Sequence, residues 1–157
     1  MRLGGLAGIG TDLDYHYALR SDEHLAVLVH QREGKRMSKV LIAEDDPISQ
    51  RFVATIVERM GHYALVSPNG RHAWEALCAE NHFDLLITDI MMPGMDGTTL
   101  IRTLRADPRF QTLPVVVMSA FIGVSEISGL LGIGASWFMP KPVERNVLED
   151  YVKRALG

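Results

Sequence analysis

From residue 40 to the C-terminus, short apolar runs alternate with segments whose apolar residues recur at the period of an α-helix. Each run is short enough for a buried strand and is followed by Gly, Pro or polar residues that would end it. Strands that alternate with helices are typical of βαβ units, so the pattern predicts an α/β domain with a parallel sheet. The predicted strands cover residues 40–43, 62–66, 83–88, 113–118 and 135–139.

The first predicted helix has the clearest local signals. Asp46 is a suitable N-cap, and Pro47 lies at the first helical position, where its missing N–H costs nothing. Gly61 ends the helix. Apolar side chains recur between these ends at Ile48, Phe52, Ile56 and Met60. Further helices are predicted over residues 71–80, 98–106, 124–131 and 143–156.

Polar side chains stand at the carboxyl ends of four of the predicted strands. Glu44 and Asp45 follow the first strand, Asp89 closes the third, Ser119 follows the fourth and Lys141 follows the fifth. Because the carboxyl ends of parallel strands lie along one edge of an open sheet, where ligands bind, we expect these groups to meet. Carboxylates, a hydroxyl and an amine at one place indicate a site for a cation and a phosphoryl group.

Residues 89–97 read Asp-x-x-Met-Pro-x-Met-Asp-Gly. With the acid pair and the Lys141-Pro142 step at matching strand ends, this motif resembles that of the receiver domain of bacterial response regulators. The resemblance covers residues 38–156. It implies a flavodoxin-like fold, a doubly wound (βα)5 sandwich whose five-stranded parallel sheet has the order 2-1-3-4-5.

The resemblance also implies roles for the strand-end residues. Asp89 would accept a phosphoryl group from a histidine kinase or a histidine phosphotransfer protein. Lys141 would pair with one phosphoryl oxygen, and Ser119 would hydrogen-bond another.

A divalent cation, Mg²⁺ or Mn²⁺, would be bound directly by Asp45 and Asp89 and by the backbone carbonyl of Met91. Glu44 would act through water, since it stands where the family often has Asp and its longer side chain leaves direct ligation open.

Two further pairs of residues match positions that regulate receivers. Ser119 and Phe138 would form the switch, in which the hydroxyl moves toward the phosphate as the ring turns inward. Phe138 is alternatively an ordinary core aromatic of the strand. Met91 and Phe121 lie two residues after Asp89 and Ser119, where side chains influence hydrolysis. Both are bulky and apolar, so we expect a long-lived phosphoryl group.

The output is expected to be protein binding through the face made by the fourth helix, the fifth strand and the last helix. A relay that passes the phosphate to another histidine-bearing protein is equally compatible with the residues. We expect a monomer or weak dimer and a stand-alone signalling module rather than an enzyme. Gly129, Gly132 and Gly134 weaken the fourth helix, either for close packing or termination, or to let phosphorylation shift it.

Two other functions are alternatives to a phosphorylated receiver. Asp12, Leu13 and Asp14 mimic the start of an aspartyl-phosphate phosphatase of the haloacid dehalogenase type, but no apolar strand precedes them. A degenerate receiver that binds partners without phosphorylation is disfavoured by the complete set of acids, Ser119 and Lys141.

The composition limits the possible binding partners and the cellular compartment. The chain is 47% hydrophobic and 22% charged with a net charge of −3, which gives no electrostatic case for nucleic acid. No apolar run approaches the ~20 residues that span a bilayer, and the single Cys78 suits a reducing cytoplasm. The histidines show no ligand spacing for zinc: His16, His24, His30, His62, His72 and His82.

Residues 1–36 form an N-terminal extension without a clear pattern, ahead of a receiver over residues 37–157. We expect the extension to be disordered or to reflect a misplaced start, with translation beginning at Met37. The alternative is a genuine segment that docks on the domain.

Overall fold

The computed structural model of the protein describes residues 14–18, 27–31, 36–80, 82–120 and 123–157. The chain divides into two compact units, residues 1–37 and 38–157. In the first unit, β1 (Asp14–Ala18) pairs antiparallel with β2 (Val27–Gln31). The origin proposed for residues 1–36 stays a prediction. The predictions made for Asp12, Leu13 and Phe121, and for the side chain of Asp14, lie outside the described residues.

The second unit is built on a parallel sheet of five strands in the order β4-β3-β5-β6-β7. Within this unit the order is 2-1-3-4-5, which confirms the predicted flavodoxin-like fold. The strands are β3 (Lys39–Ala43), β4 (Tyr63–Ser67), β5 (Leu85–Asp89), β6 (Val115–Ser119) and β7 (Trp137–Pro140).

A helix follows each strand of this sheet, close to its predicted position. The helices are α1 (Pro47–Arg59), α2 (Gly70–Glu80), α3 (Gly97–Ala106), α4 (Val124–Ile133) and α5 (Arg145–Leu156). Asp46 caps α1 as expected, since its carboxylate accepts a hydrogen bond from the N–H of Ser49. None of the helices in the described part of the chain is long and apolar enough to cross a membrane.

The core consists of two apolar layers, one on each face of the sheet. Successive strand residues point to opposite faces, so Leu41 joins one layer and its neighbour Ile42 joins the other. The layer around Leu41 includes buried residues of α2, α3 and α4, and the layer around Ile42 includes those of α1 and α5. Burial on both faces explains why the strands read as nearly continuous apolar runs.

Only some of the apolar residues whose spacing predicted α1 lie on the face that packs on the sheet. Ile56 is buried, together with Val53 and Val57, whereas Ile48 is 80% exposed and Phe52 is 44% exposed. The periodicity therefore predicted the helix but not its orientation, because α1 carries apolar residues on two sides.

The glycines of the fourth helix, α4, have different roles. Gly134 has a φ of 116° and ends the helix as its C-cap, and its carbonyl oxygen accepts hydrogen bonds from the guanidinium of Arg105 at 2.7 and 3.1 Å. Gly129 and Gly132 lie within the helix, and an added Cβ at either position would have no neighbour within 4 Å. Close packing therefore does not explain these two glycines, and they weaken α4 without a packing reason.

We predict that Gly129→Ala and Gly132→Ala each raise the free energy of unfolding by roughly 0.5–1 kcal/mol, because Ala lowers the entropy of the unfolded chain and fits without strain. Urea denaturation of the single variants measures this change. Gly134→Ala is the control and should destabilise, since it combines a positive φ with a Cβ 2.6 Å from Nε of Arg105. A loss of stability in Gly129→Ala would show that this glycine is needed for packing.

Candidate functional site

The parallel sheet brings the predicted strand-end residues to one edge. In the register of the sheet, Ala43, the last residue of β3, lies opposite Thr88 of β5, and Asp89 of β5 lies opposite Met118 of β6. Ser119 of β6 is level with Pro140 of β7, and its carbonyl oxygen accepts a hydrogen bond from the backbone N–H of Lys141 at 2.9 Å. The groups at this edge are Glu44, Asp45, Asp89, Ser119 and Lys141.

The ammonium of Lys141 joins two of the acids. Its Nζ lies 2.8 Å from Oδ2 of Asp89 and 2.6 Å from Oε2 of Glu44. Burial lowers the pKa of Lys141, but the hydrogen bonds to Asp89 and Glu44 outweigh this effect, so the pKa is raised above its ordinary value. Lys141 is therefore a fixed positive charge between two carboxylates.

Glu44 is fully buried, and both of its carboxylate oxygens have partners. Oε2 is paired with Lys141, and Oε1 accepts a hydrogen bond from the N–H of Asp46 at 3.0 Å. Burial raises the pKa of Glu44 in spite of these two contacts, and the nearby charge of Asp89 acts in the same direction. The longer side chain of Glu thus reaches Lys141 here.

Asp89 is less open than its place at the end of a strand suggested, with an exposed fraction of 5%. Its Oδ1 accepts hydrogen bonds from the backbone N–H groups of Ile90 and Met91, at 2.7 and 3.3 Å. Its Oδ2 contacts only Lys141 among the hydrogen bonds of the described residues. The two oxygens therefore have different surroundings, because one is held by backbone N–H groups and the other by the ammonium of Lys141.

Three acids at this edge form a candidate metal centre. Glu44, Asp45 and Asp89 each place one carboxylate oxygen within 4.8 Å of those of the other two. Asp45 is exposed, whereas the other two are buried. Carboxylate oxygens are hard donors of the kind that Mg²⁺ prefers, and an exposed acid beside buried ones leaves room for the waters that this ion keeps. The donor set therefore fits a small divalent cation.

Three of the four switch and hydrolysis residues belong to the described part of the chain. Ser119 is buried at the end of β6, and Phe138 is half-buried against the layer that contains Leu41. The carbonyl oxygen of Phe138 accepts a hydrogen bond from the hydroxyl of Tyr151 at 3.2 Å. Met91 is exposed beside Asp89. The roles assigned to these residues stay predictions.

Sequence reasoning missed two residues that position the site. An added Cβ at Gly97 would lie 2.1 Å from the carbonyl oxygen of Asp89, so only Gly lets α3 begin this close to β5. The only signal for it was its place at the end of the motif. Gln50 donates its side-chain N–H to the carbonyl oxygen of Glu44 at 2.5 Å, and nothing in the sequence indicated this contact.

Comparison with known proteins identifies the family. The family described as response regulator receiver domain matches residues 40–153. This chain belongs to that family. The chemotaxis protein CheY1 of Helicobacter pylori strain J99 is 32% identical to this receiver over 120 residues, which cover 76% of this chain and 97% of CheY1. A CheY homologue of Campylobacter jejuni is 28% identical over 120 residues, which cover 76% of this chain and 92% of the homologue.

Solved structures agree with this assignment. The signal receiver domain of a signal transduction histidine kinase from Syntrophus aciditrophicus aligns with a TM-score of 0.69 at 34% identity, over 76% of this chain and 89% of that one. CheY4 of Vibrio cholerae aligns with a TM-score of 0.72 over 77% of this chain and 100% of its own, but its 22% identity supports the fold alone.

Membership of this family explains why acidic residues cluster at this edge of the sheet. The receiver is a signalling module of two-component systems, and receivers bind Mg²⁺ through an acidic pocket. The acids Glu44, Asp45 and Asp89 form such a pocket here. The phosphatase-like residues Asp12, Leu13 and Asp14 lie outside the segment that matches the family.

We predict that Lys141→Met lowers the free energy of unfolding by roughly 2–4 kcal/mol near pH 7, because it leaves two buried carboxylates unpaired. Urea denaturation in a chelating buffer measures this. The deficit relative to wild type should shrink as the pH falls toward about 5. Burial raises the pKa of Glu44 and the contact with Lys141 opposes this rise, so in the variant Glu44 takes up a proton in the folded chain more readily than it does in wild type.

The double variant Lys141→Met/Glu44→Gln is the matched control. It removes one of the two unpaired charges and should recover part of the lost stability. A deficit that is independent of pH, with no recovery in the double variant, would contradict the account of Lys141 as the ion that balances both acids.

Proposed function

We propose that this receiver accepts a phosphoryl group on Asp89 from a histidine kinase or a histidine phosphotransfer protein. The observation that carries the proposal is the contact of 2.8 Å between Nζ of Lys141 and Oδ2 of Asp89, beside the acids Glu44 and Asp45. A carboxylate reacts with phosphorus only when nearby positive charge offsets repulsion, and Lys141 places such charge on the reacting group.

The reaction is a transfer between two nucleophiles. Oδ2 of Asp89 attacks phosphorus and forms the O–P bond while the P–N bond to the donor imidazole breaks, and the bonding electron pair leaves with the imidazole nitrogen. Oδ2 is the nucleophile because Oδ1 is held by the N–H groups of Ile90 and Met91. Lys141 leaves Oδ2 and pairs with a phosphoryl oxygen, with the hydroxyl of Ser119 donating to another.

The carboxylates of Asp45 and Asp89 and the backbone carbonyl of Met91 would hold the cation, Mg²⁺ or Mn²⁺, with Glu44 contributing through water. When bound, the cation supplies Lewis-acid neutralisation of phosphoryl charge. Glu44 also keeps Lys141 at the site when Lys141 releases Oδ2, because their contact of 2.6 Å does not involve Asp89.

The output would be altered protein binding, driven by Ser119 and Phe138. The face of α4, β7 and α5 supports this proposal, since α4 exposes Val124 (86%) and Leu131 and is weakened by internal glycines. A phosphorelay role would use the same residues. In both cases we propose that the protein works in the cytoplasm, where its donors present their histidines. We also propose that Met91 and Phe121 slow hydrolysis of the phosphoryl group on Asp89.

We predict that acetyl phosphate with Mg²⁺ adds one phosphoryl group to the protein and that Asp89→Asn abolishes the addition, because the amide is not a nucleophile at phosphorus. Intact mass spectrometry measures the change. Lys141→Arg should slow the reaction at least tenfold, since the bulkier guanidinium does not replace a compact ammonium. Asp150→Asn, on the outer part of α5, is the control and should react like wild type. Addition to Asp89→Asn at the wild-type rate would overturn the proposal.

A further inference from the structure

Helices α3 and α4 enclose a cavity of about 340 Å³ beside the proposed phospho-acceptor site. Ile90, Leu130 and Ile133 make an apolar wall of this α3–α4 cavity, and its described lining includes none of the acids of the candidate metal centre. Cavities that bind ligands measure ~300–1,000 Å³ and combine apolar walls with a few polar groups that fix orientation. The α3–α4 cavity is at the lower end of this range, so it suits a small molecule.

Two side chains of opposite charge line the cavity, one from each helix. Arg102 belongs to α3 and Glu126 to the first turn of α4, and both are exposed. One carboxylate oxygen of Glu126 accepts a hydrogen bond from the backbone N–H of Gly123, which holds this side chain in place. Within the described residues, neither the guanidinium of Arg102 nor the other oxygen of Glu126 has a partner. The cavity therefore offers a ligand one positive and one negative group.

Ser119 adds a buried hydroxyl to the same cavity. Its exposed fraction is 3%, and its hydroxyl makes no hydrogen bond in the part of the chain that the structure describes. Buried hydroxyl groups normally have a hydrogen-bond partner, so Ser119 is available to a polar atom of a bound molecule. A hydroxyl donates only one hydrogen bond. A ligand in the cavity and the proposed phosphoryl group on Asp89 would therefore compete for it.

We propose that the α3–α4 cavity binds a free α-amino acid with an aliphatic side chain, and that the bound molecule opposes phosphorylation. The carboxylate of the amino acid pairs with Arg102, and its ammonium pairs with the available oxygen of Glu126. Its side chain packs on the apolar wall, which is aliphatic in the described lining. A zwitterion satisfies both charges at once, and the small volume favours a single amino acid over a longer peptide.

The opposition to phosphorylation follows from the position of Ser119. The carboxylate that pairs with Arg102 has a second oxygen, which accepts the hydrogen bond of the Ser119 hydroxyl. The hydroxyl is then not available to a phosphoryl oxygen. By linkage, phosphorylation of Asp89 weakens binding of the amino acid by the same factor. This coupling rests on the proposed function, whereas the binding of the amino acid does not.

Isothermal titration calorimetry of the full chain with L-leucine, L-isoleucine and L-valine tests the binding. At least one of them should bind saturably, with a Kd of about 1 mM or below. Two analogues test the charges: 4-methylpentanoate lacks the ammonium and leucinamide lacks the carboxylate, so each should bind about tenfold more weakly than leucine. Absence of saturable binding by all three amino acids would overturn the proposal, and so would binding of 4-methylpentanoate as tight as that of leucine.

Variants of the two charged residues locate the site. Arg102→Gln and Glu126→Gln should each weaken binding about tenfold or more. The amide of Glu126→Gln still accepts the N–H of Gly123, so the start of α4 is kept. Arg154→Gln removes the same charge from α5, which packs on the other face of the sheet, and should bind like wild type. Unchanged binding in Arg102→Gln and Glu126→Gln would refute the assignment.

A pair of glycine variants tests whether the ligand occupies the cavity itself. Gly129 lines the cavity and has room for a side chain, so Gly129→Leu should fill the space, strengthen α4 and abolish binding. Gly132→Leu is the matched control, because Gly132 has the same room but does not belong to the described lining. A wild-type dimer in sedimentation that Gly129→Leu dissociates, with no amino acid bound, would assign the cavity to self-association and overturn the proposal.

Labelling by acetyl phosphate with Mg²⁺ tests the coupling. Saturating leucine, or whichever of the three amino acids binds most tightly, should slow labelling of wild type about threefold or more. It should have no effect on Gly129→Leu, which cannot bind it. Labelling of wild type at the same rate with and without the bound amino acid would overturn the coupling. No labelling under either condition would refute the proposed function, while calorimetry still decides whether the cavity binds an amino acid.

Discussion

The ammonium of Lys141 lies between two buried carboxylates, and the arrangement of the receiver depends on this balance of charge. Glu44 and Asp89 come from neighbouring strand ends, and either acid buried alone with its negative charge would be costly. One cation satisfies both of them at 2.6 and 2.8 Å. The same cation is the group that proposed phosphorylation would redirect, so the interaction that stabilises the free domain is also the one that its reaction changes.

The surrounding elements hold this triad in place by short-range backbone contacts. The N–H of Asp46 fixes one oxygen of Glu44, and the N–H groups after Asp89 fix one oxygen of that acid. Gly97 lets α3 start against the end of β5, where any larger residue would collide with the backbone. In the last turn of α3, Arg105 donates hydrogen bonds to the carbonyl oxygens of Phe110, Leu113 and Gly134, and so anchors the turn after α4.

Two helices next to the site, α1 and α4, expose apolar residues, but the two helices differ in how well they are stabilised. The helix α1 is well supported by its cap and its core residues, and it exposes the apolar side chains of Ile48 and Phe52. The helix α4 is apolar and largely exposed, has Leu130 as its only buried residue among those described, and contains glycines that packing does not require. A weak helix suits a surface that would change after the proposed reaction.

The sequence by itself determined the class of fold, the five βα units and the residues at the strand ends, because parallel strands force their carboxyl ends to one edge. It also determined the capped start of α1. Only the tertiary structure decided that Glu44 pairs with Lys141. This contact joins residues far apart in the chain, and their distance depends on the positions of β3 and β7 on opposite sides of β5 in the sheet. The tertiary structure likewise decided which apolar side of α1 faces the core, because periodicity identifies a helix but cannot choose between two apolar faces.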